Sequence, residues 1–159
     1  MLDGMVEVIP RKGVIVKPVS LDEVLHIIEA RLMIEPGAIR LATARADDGE
    51  IIALGDILGR AQQWSAVRNV EQMMLLDREF HLVLARATRN DVLADILRRL
   101  HERSLRFWFI SLTDVGHHND VQDEHGAILR AVRERDSDAA EGAMRRHIES
   151  FRATVARYI

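Results

Sequence analysis

The chain has 159 residues, 48% hydrophobic and 30% charged, with a net charge of −3 and no cysteine. That length suits one ordinary domain with a real core. The lack of cysteine excludes disulfides and thiolate metal sites, and the mildly acidic balance excludes a surface built to coat nucleic acid. No run approaches the roughly 18 apolar residues of a membrane span, and the N-terminus does not read as a secretory signal. The expected setting is therefore the cytoplasm, with no membrane partner. Aromatic residues are only 4%, while Leu, Ala and Arg abound, which favours helices over sheets.

The first 19 residues stand apart. Two β-branched runs, 6–9 and 14–16, flank Pro10-Arg11-Lys12-Gly13, the pattern of a β-hairpin with a basic tip. Two strands alone are marginal in water, so the hairpin should belong to something larger. After Pro18 the period becomes helical. Ser20 and Glu23 have the spacing of a capping box opening a first helix, 20–34, which Pro36-Gly37 should interrupt. A short second helix is expected over 38–46, ending at Asp47-Asp48-Gly49. A third follows over 50–66, a fourth over 70–88, and a fifth over 91–112 capped by Asn90. Gly116-His117-His118-Asn119 reads as a loop. A sixth helix is expected over 120–135 and a seventh, capped by Ser137, to about residue 158. The expected architecture is all-α: an antiparallel bundle of six or seven helices over 20–159, preceded by a short β-hairpin over 1–19.

Three of these helices carry polar residues on apolar stripes. In the fourth, Asp77 and His81 lie one turn apart and point with Met73, Phe80 and Leu84. In the sixth, His125 falls between Val121 and Ile128. In the seventh, His147 falls between Met144 and Phe151. One core histidine is usually a hydrogen-bonded structural residue. Three of them with a carboxylate ask for more, because each unpaired buried polar group costs on the order of 1–3 kcal/mol and a bare carboxylate more. One divalent cation would satisfy all four. Imidazole-rich ligation with one carboxylate suits zinc, nickel or iron(II) better than calcium or magnesium. The remaining histidines, His26, His101, His117 and His118, are expected to be surface or packing residues.

The stretches DREFHLVLARATRN, DEHGAILRAVRERDSDAA and MRRHI together resemble the FCD domain, the effector-binding domain of FadR-subfamily GntR transcriptional regulators. Asp77, His81, His125 and His147 fall in order on that family's Asp-x-x-x-His motif and its two later histidines. HIIEARLMIEPGAIRLATARA resembles the family's first two helices, with Glu29, Arg31 and Glu35 in their usual spacing. The resemblance covers about residues 20–158. It also gives the N-terminal hairpin a meaning, as the wing of a winged helix-turn-helix whose recognition helix is not in this sequence; Arg11 and Lys12 would then touch DNA only weakly.

What the resemblance implies is a ligand-sensing domain of a bacterial regulator. It would hold one divalent transition metal, zinc or nickel, through Asp77, His81, His125 and His147. It would bind a small carboxylate effector gripped by Arg31, whose guanidinium offers a bidentate fork; a salt bridge from Arg31 to Glu29 or Glu35 is the competing reading. The implied assembly is a homodimer, the implied chemistry binding rather than catalysis. The alternative is a mononuclear metalloenzyme, such as a metal-dependent hydrolase, in which a His3Asp site activates water; no further general base or nucleophile motif accompanies it. A ferritin-like di-metal site needs paired Glu-x-x-His motifs, and only Glu23-Val-Leu-His26 has that form.

Overall fold

A computed structural model of the protein describes residues 6–11, 13–16, 20–111 and 115–157. Strands β1 (Val6–Ile9) and β2 (Gly13–Val16) pair antiparallel, with Val6 opposite Val16 and Ile9 opposite Gly13. Arg11 lies in the turn at φ 65° and Gly13 follows at φ 121°, a conformation glycine adopts without steric cost. Lys12 lies outside the described residues. Six helices follow among the described residues: α1 (Leu21–Arg45), α2 (Asp48–Ala66), α3 (Val70–Ala87), α4 (Asp91–Ser111), α5 (Val115–Arg133) and α6 (Ser137–Val155).

The expected break at Pro36 does not occur. Pro36 removes the N–H that would have bonded to the carbonyl of Leu32, yet α1 runs through it. Tertiary burial outweighs the local penalty: Ile27 and Ile28 before the proline and Ile39 and Ala42 after it are all buried in one core. The two helices read from the sequence are therefore one. The helix ends at Arg45, just before the expected terminator Asp47-Asp48-Gly49, and that same stretch starts α2. Asp47 accepts from the Glu50 backbone N–H while the Glu50 side chain accepts from the Asp47 N–H, a complete capping box. At Ser20 only half a box forms: Ser20 accepts from the Glu23 N–H, but the Glu23 carboxylate pairs with Arg103 of α4. The loop expected at Gly116–Asn119 is the first turn of α5, and Asp136, not Ser137, caps α6 by accepting from the N–H groups of Asp138 and Ala139.

Helix α1 is the axis of the bundle. It packs along α6 and also touches α3, α4 and α5, while α2–α3, α3–α4 and α5–α6 lie against each other as sequential hairpins. The core joins Ile28 and Ile39 of α1, Leu54 of α2, Leu76 and Phe80 of α3, Ile128 and Val132 of α5, and Ile148 and Phe151 of α6. Because α3, α4, α5 and α6 all border this core, a polar side chain on the inner stripe of each meets the others. No helix among the described residues is long and apolar enough to cross a membrane.

Candidate metal centre

The inner stripes bring five titratable side chains into one buried cluster. Asp77 and His81 come from α3, His101 from α4, His125 from α5 and His147 from α6, and all are buried. Donor atoms of His81, His125 and His147 lie within 4.8 Å of one another, as do those of Asp77, His81 and His101. Asp77 Oδ1 is 3.5 Å from His125 Nε2 and 3.9 Å from His81 Nε2. Its other oxygen, Oδ2, is 3.1 Å from His101 Nε2. The rings are packed face to face or edge to face: His81 stacks on His101 at 4.3 Å between centroids and on His147 at 5.4 Å, and His125 stacks on Phe80 at 4.5 Å.

These groups do not satisfy each other. Asp77 Oδ1, His81 Nε2, His125 Nε2 and both nitrogens of His101 have no aligned hydrogen-bond partner among the described residues. Buried polar atoms are almost always paired, so several orphans facing one point are a fit for a cation. The chemistry of the set, three or more imidazoles with one carboxylate, is that of a divalent transition metal. His147 is held differently. Its Nδ1 is 2.8 Å from Glu124 Oε2 of α5, and if that nitrogen carries the proton, Nε2 presents the lone pair. This is the carboxylate–imidazole arrangement that orients metal-ligating histidines.

Burial and neighbouring charges hold two of the rings uncharged near neutral pH. Burial pushes His81 well below the usual imidazole range, and positive charge on His101, His125, His147 and Arg31 adds to the effect. Burial, then the neighbouring His147, brings His125 down to about 3 despite the opposing pull of Asp77. Burial raises the Asp77 carboxyl, but the close approach of His101 and the charges of His101, His125 and His147 outweigh it, leaving the group below its ordinary value. Near neutral pH the centre thus offers a carboxylate and two uncharged rings, the protonation states that bind metal.

Arg31 is buried on α1, and its fork is already occupied. Its Nε and Nη2 donate to the two Glu35 oxygens at 2.5 and 3.3 Å, and its guanidinium lies 5.8 Å from the centre of the Phe151 ring. Beside this pair, Glu35, His81, Leu84, His101 and Met144 line a cavity of about 30 Å³, room for about two waters.

Two residues of the cluster escape the sequence pattern. The sequence reads His101 as a surface or packing residue; the structure buries it, 6% exposed, facing Asp77. Its signal was weak: it follows Leu97 by four but precedes Ser104 by three, so the α4 stripe does not read as apolar. Glu124 meets His147 only through the α5–α6 contact, across 23 residues of sequence, and no local spacing announces it. His26 is exposed, as expected, while the side chains of His117 and His118 lie outside the described residues.

Among the described residues, a helical bundle closes around a carboxylate and a group of buried imidazoles, an all-α domain whose central side chains could hold an ion. The model of the FCD domain matches residues 26–150, and the chain belongs to that family. Its relatives are transcriptional regulators, not enzymes. The transcriptional repressor NanR of Klebsiella aerogenes is 33% identical over 138 residues, 82% of this chain and 50% of that protein. The repressor GlaR of Escherichia coli is 27% identical over 92% of this chain and 70% of its own length. The chain thus spans about half the length of the first of these curated relatives. Among solved structures, Escherichia coli McbR/YncC superimposes with a TM-score of 0.87 at 16% identity, over 98% of this chain and 79% of that one, a likeness of fold.

Proposed function

We propose that this chain is the ligand-sensing domain of a bacterial DNA-binding regulator of the GntR type, FadR subfamily, and that it works through one divalent transition metal, zinc or nickel. Asp77, His81, His125 and His147 would hold the ion, with Glu124 orienting His147. The observation that carries this reading is the set of buried, unpartnered donor atoms converging from α3, α4 and α5 beside His147 of α6. When bound, such an ion supplies a Lewis-acid position for an oxygen ligand.

The effector would be a small organic acid. A guanidinium is the side chain best matched to a carboxylate, and Arg31 supplies one beside the cluster, near enough for its charge to depress His81 and His125. In this reading Glu35 is a stand-in: its carboxylate holds the Arg31 fork until an effector carboxylate competes for it. The effector's carboxylate would, in this reading, enter the pocket lined by Glu35, His81 and His101. In the whole regulator the DNA-reading head would be a winged helix preceding this domain, with the β1–β2 hairpin as its wing and Arg11 and Lys12 contacting phosphate. Phosphate contacts position a protein on DNA without reading sequence, so this chain alone should bind DNA weakly and in a salt-sensitive way. The domain would pair as a homodimer, so that effector binding changes the spacing of two heads.

The test is elemental analysis of protein purified without chelator. Close to one zinc or nickel per chain is expected, with His81→Ala depleted of it. Metal-free wild-type protein that also takes up neither ion on titration would remove the basis of the proposal.

A further inference from the structure

His101 has no part in the ligand set just proposed, yet it is the nearest titratable neighbour of Asp77. The carboxylate of Asp77 divides its oxygens between two surroundings. Oδ1 faces His125 at 3.5 Å and His81 at 3.9 Å, whereas Oδ2 faces His101 Nε2 at 3.1 Å. The His101 ring is buried, stacked on His81 at 4.3 Å with 27° between planes, and both its nitrogens lack an aligned partner. A neutral imidazole carries one N–H and one lone pair. With Nε2 facing a carboxylate oxygen at 3.1 Å, an N–H at Nε2 is the tautomer that suits this contact.

We propose that His101 is a positioning residue: its Nε2–H donates to Asp77 Oδ2 and so turns Oδ1 toward the space between His81, His125 and His147. This rests on the metal-binding reading above. His101 approaches Asp77 and His81, whereas the donor atoms of His81, His125 and His147 approach one another from three helices without it. The 3.1 Å contact of His101 Nε2 with Asp77 Oδ2, the oxygen turned away from His125 and His81, favours an outer role over direct ligation. A ligating carboxylate generally needs such an outer partner, and removing one typically lowers metal affinity roughly 10–100-fold. His101 also lines the cavity shared by Glu35 and Arg98. A ligand entering there meets the residue that aims Asp77, which ties occupancy of the cavity to the affinity of the centre.

The experiment compares His101→Phe, which keeps the ring stack and removes the donor, with His101→Gln, which restores an N–H donor. Nickel and zinc affinities are measured by competition with a chromophoric chelator, folding by circular dichroism, and the number of bound imidazoles by X-ray absorption at the metal edge. His101→Phe should weaken binding roughly 10–100-fold, His101→Gln should recover most of it, and the imidazole count should stay at the three of His81, His125 and His147 in every variant. His101→Met replaces the Phe variant if the latter fails to fold. Unchanged affinity in the apolar variant, loss of one imidazole from the ion, or no rescue by Gln overturns the inference while leaving the metal reading in place. A wild-type protein that binds neither ion overturns both.

Discussion

His81 and His125 are buried rings, and this makes the metal-free fold sensitive to acid. His125 titrates at about 3 and His81 well below the ordinary value of 6.5. In the unfolded chain both regain that ordinary value, so between about pH 6.5 and 3 the unfolded state binds more protons than the folded one. Stability then falls as pH falls. The contribution of these rings is complete above about pH 6.5 and is lost on the way down toward the folded values. Thermal melts with chelator present should show the midpoint dropping steadily from pH 7 to pH 4. His125→Gln, which cannot titrate, should melt lower at pH 7 but with a shallower pH slope; an equal slope would mean the ring is already charged in the native state.

The Glu124–His147 pair sets a second expectation at the same scale. Glu124→Gln keeps the volume and removes the charge, so metal affinity should fall roughly 10–100-fold with little change in chelator-treated stability. His147→Ala should lower affinity further and cost roughly 1–3 kcal/mol of stability by leaving Glu124 without its partner. Isothermal titration and denaturant melts separate the two effects, and full metal occupancy in His147→Ala would make His147 a packing residue. The inward placement of Asp77, His81, His125 and His147 was legible because each interrupts a clear apolar stripe at helical spacing. His101 and Glu124 were not, because the first lies on a diluted stripe and the second is defined by packing between helices.

At the scale of elements, the turns carry an unusual signature. Arg68, Arg89 and Arg135 follow α2, α3 and α5 with φ of 55°, 52° and 57°, a conformation in which non-glycine residues are strained. After α5 the Asp136 N–H reaches the Ala131 carbonyl and the Arg135 N–H that of Val132, a Schellman ending; α2 ends the same way through Arg68 and Asn69. The arginine at Arg135 has a compensating task. Its Nη1 donates to the carbonyls of Thr43 and Ala46 at the end of α1, at 3.0 and 2.6 Å, while Arg89 clamps Asp47 and Glu50 at the start of α2. Arg135→Ala loses the contacts and keeps the backbone strain; Arg135→Gly loses the contacts and relieves it. Gly should therefore be the milder change, by about 1 kcal/mol, with both below wild type in urea melts. Equal losses would mean the left-handed turn carries no strain.

Helix identity was legible in the sequence wherever the apolar stripe was clear, as over α3 and α6. It failed where a local signal met a stronger distant one. Pro36 reads as a break, but Ile28 and Ile39 on either side bury into the same core, and Gly116–Asn119 reads as a loop although it opens α5. A propensity is a preference of about 3 kcal/mol even for proline, and burying two isoleucines offsets it.

For the whole molecule, the proposed site is where α1 meets the helices that carry the histidines. Arg31 and Glu35 stand on α1, which packs against α3, α4, α5 and α6, so a ligand bound to both the ion and Arg31 would tie the axis of the bundle to its walls. Such a ligand can shift a conformational balance only through a difference in affinity between two states. Here the difference would lie in the Arg31–Glu35 pair, 2.5 Å apart, which would open when a carboxylate takes the guanidinium. A thermal-shift screen of small mono-, di- and hydroxycarboxylates, run with and without chelator, measures it. A ligand at about 100 times its dissociation constant should stabilise the fold by roughly 2.7 kcal/mol. Hits should lose most of their effect when metal is stripped, because half of the grip is gone, and should be weakened by Arg31→Ala. Glu35→Gln should act in the opposite direction, since a neutral competitor releases the fork more easily, and tighten acid binding even as it lowers the stability of the ligand-free protein. Acids that bind the metal-stripped protein as well as the loaded one would make any ion structural, and acids indifferent to both Arg31→Ala and Glu35→Gln would place the effector elsewhere in the bundle.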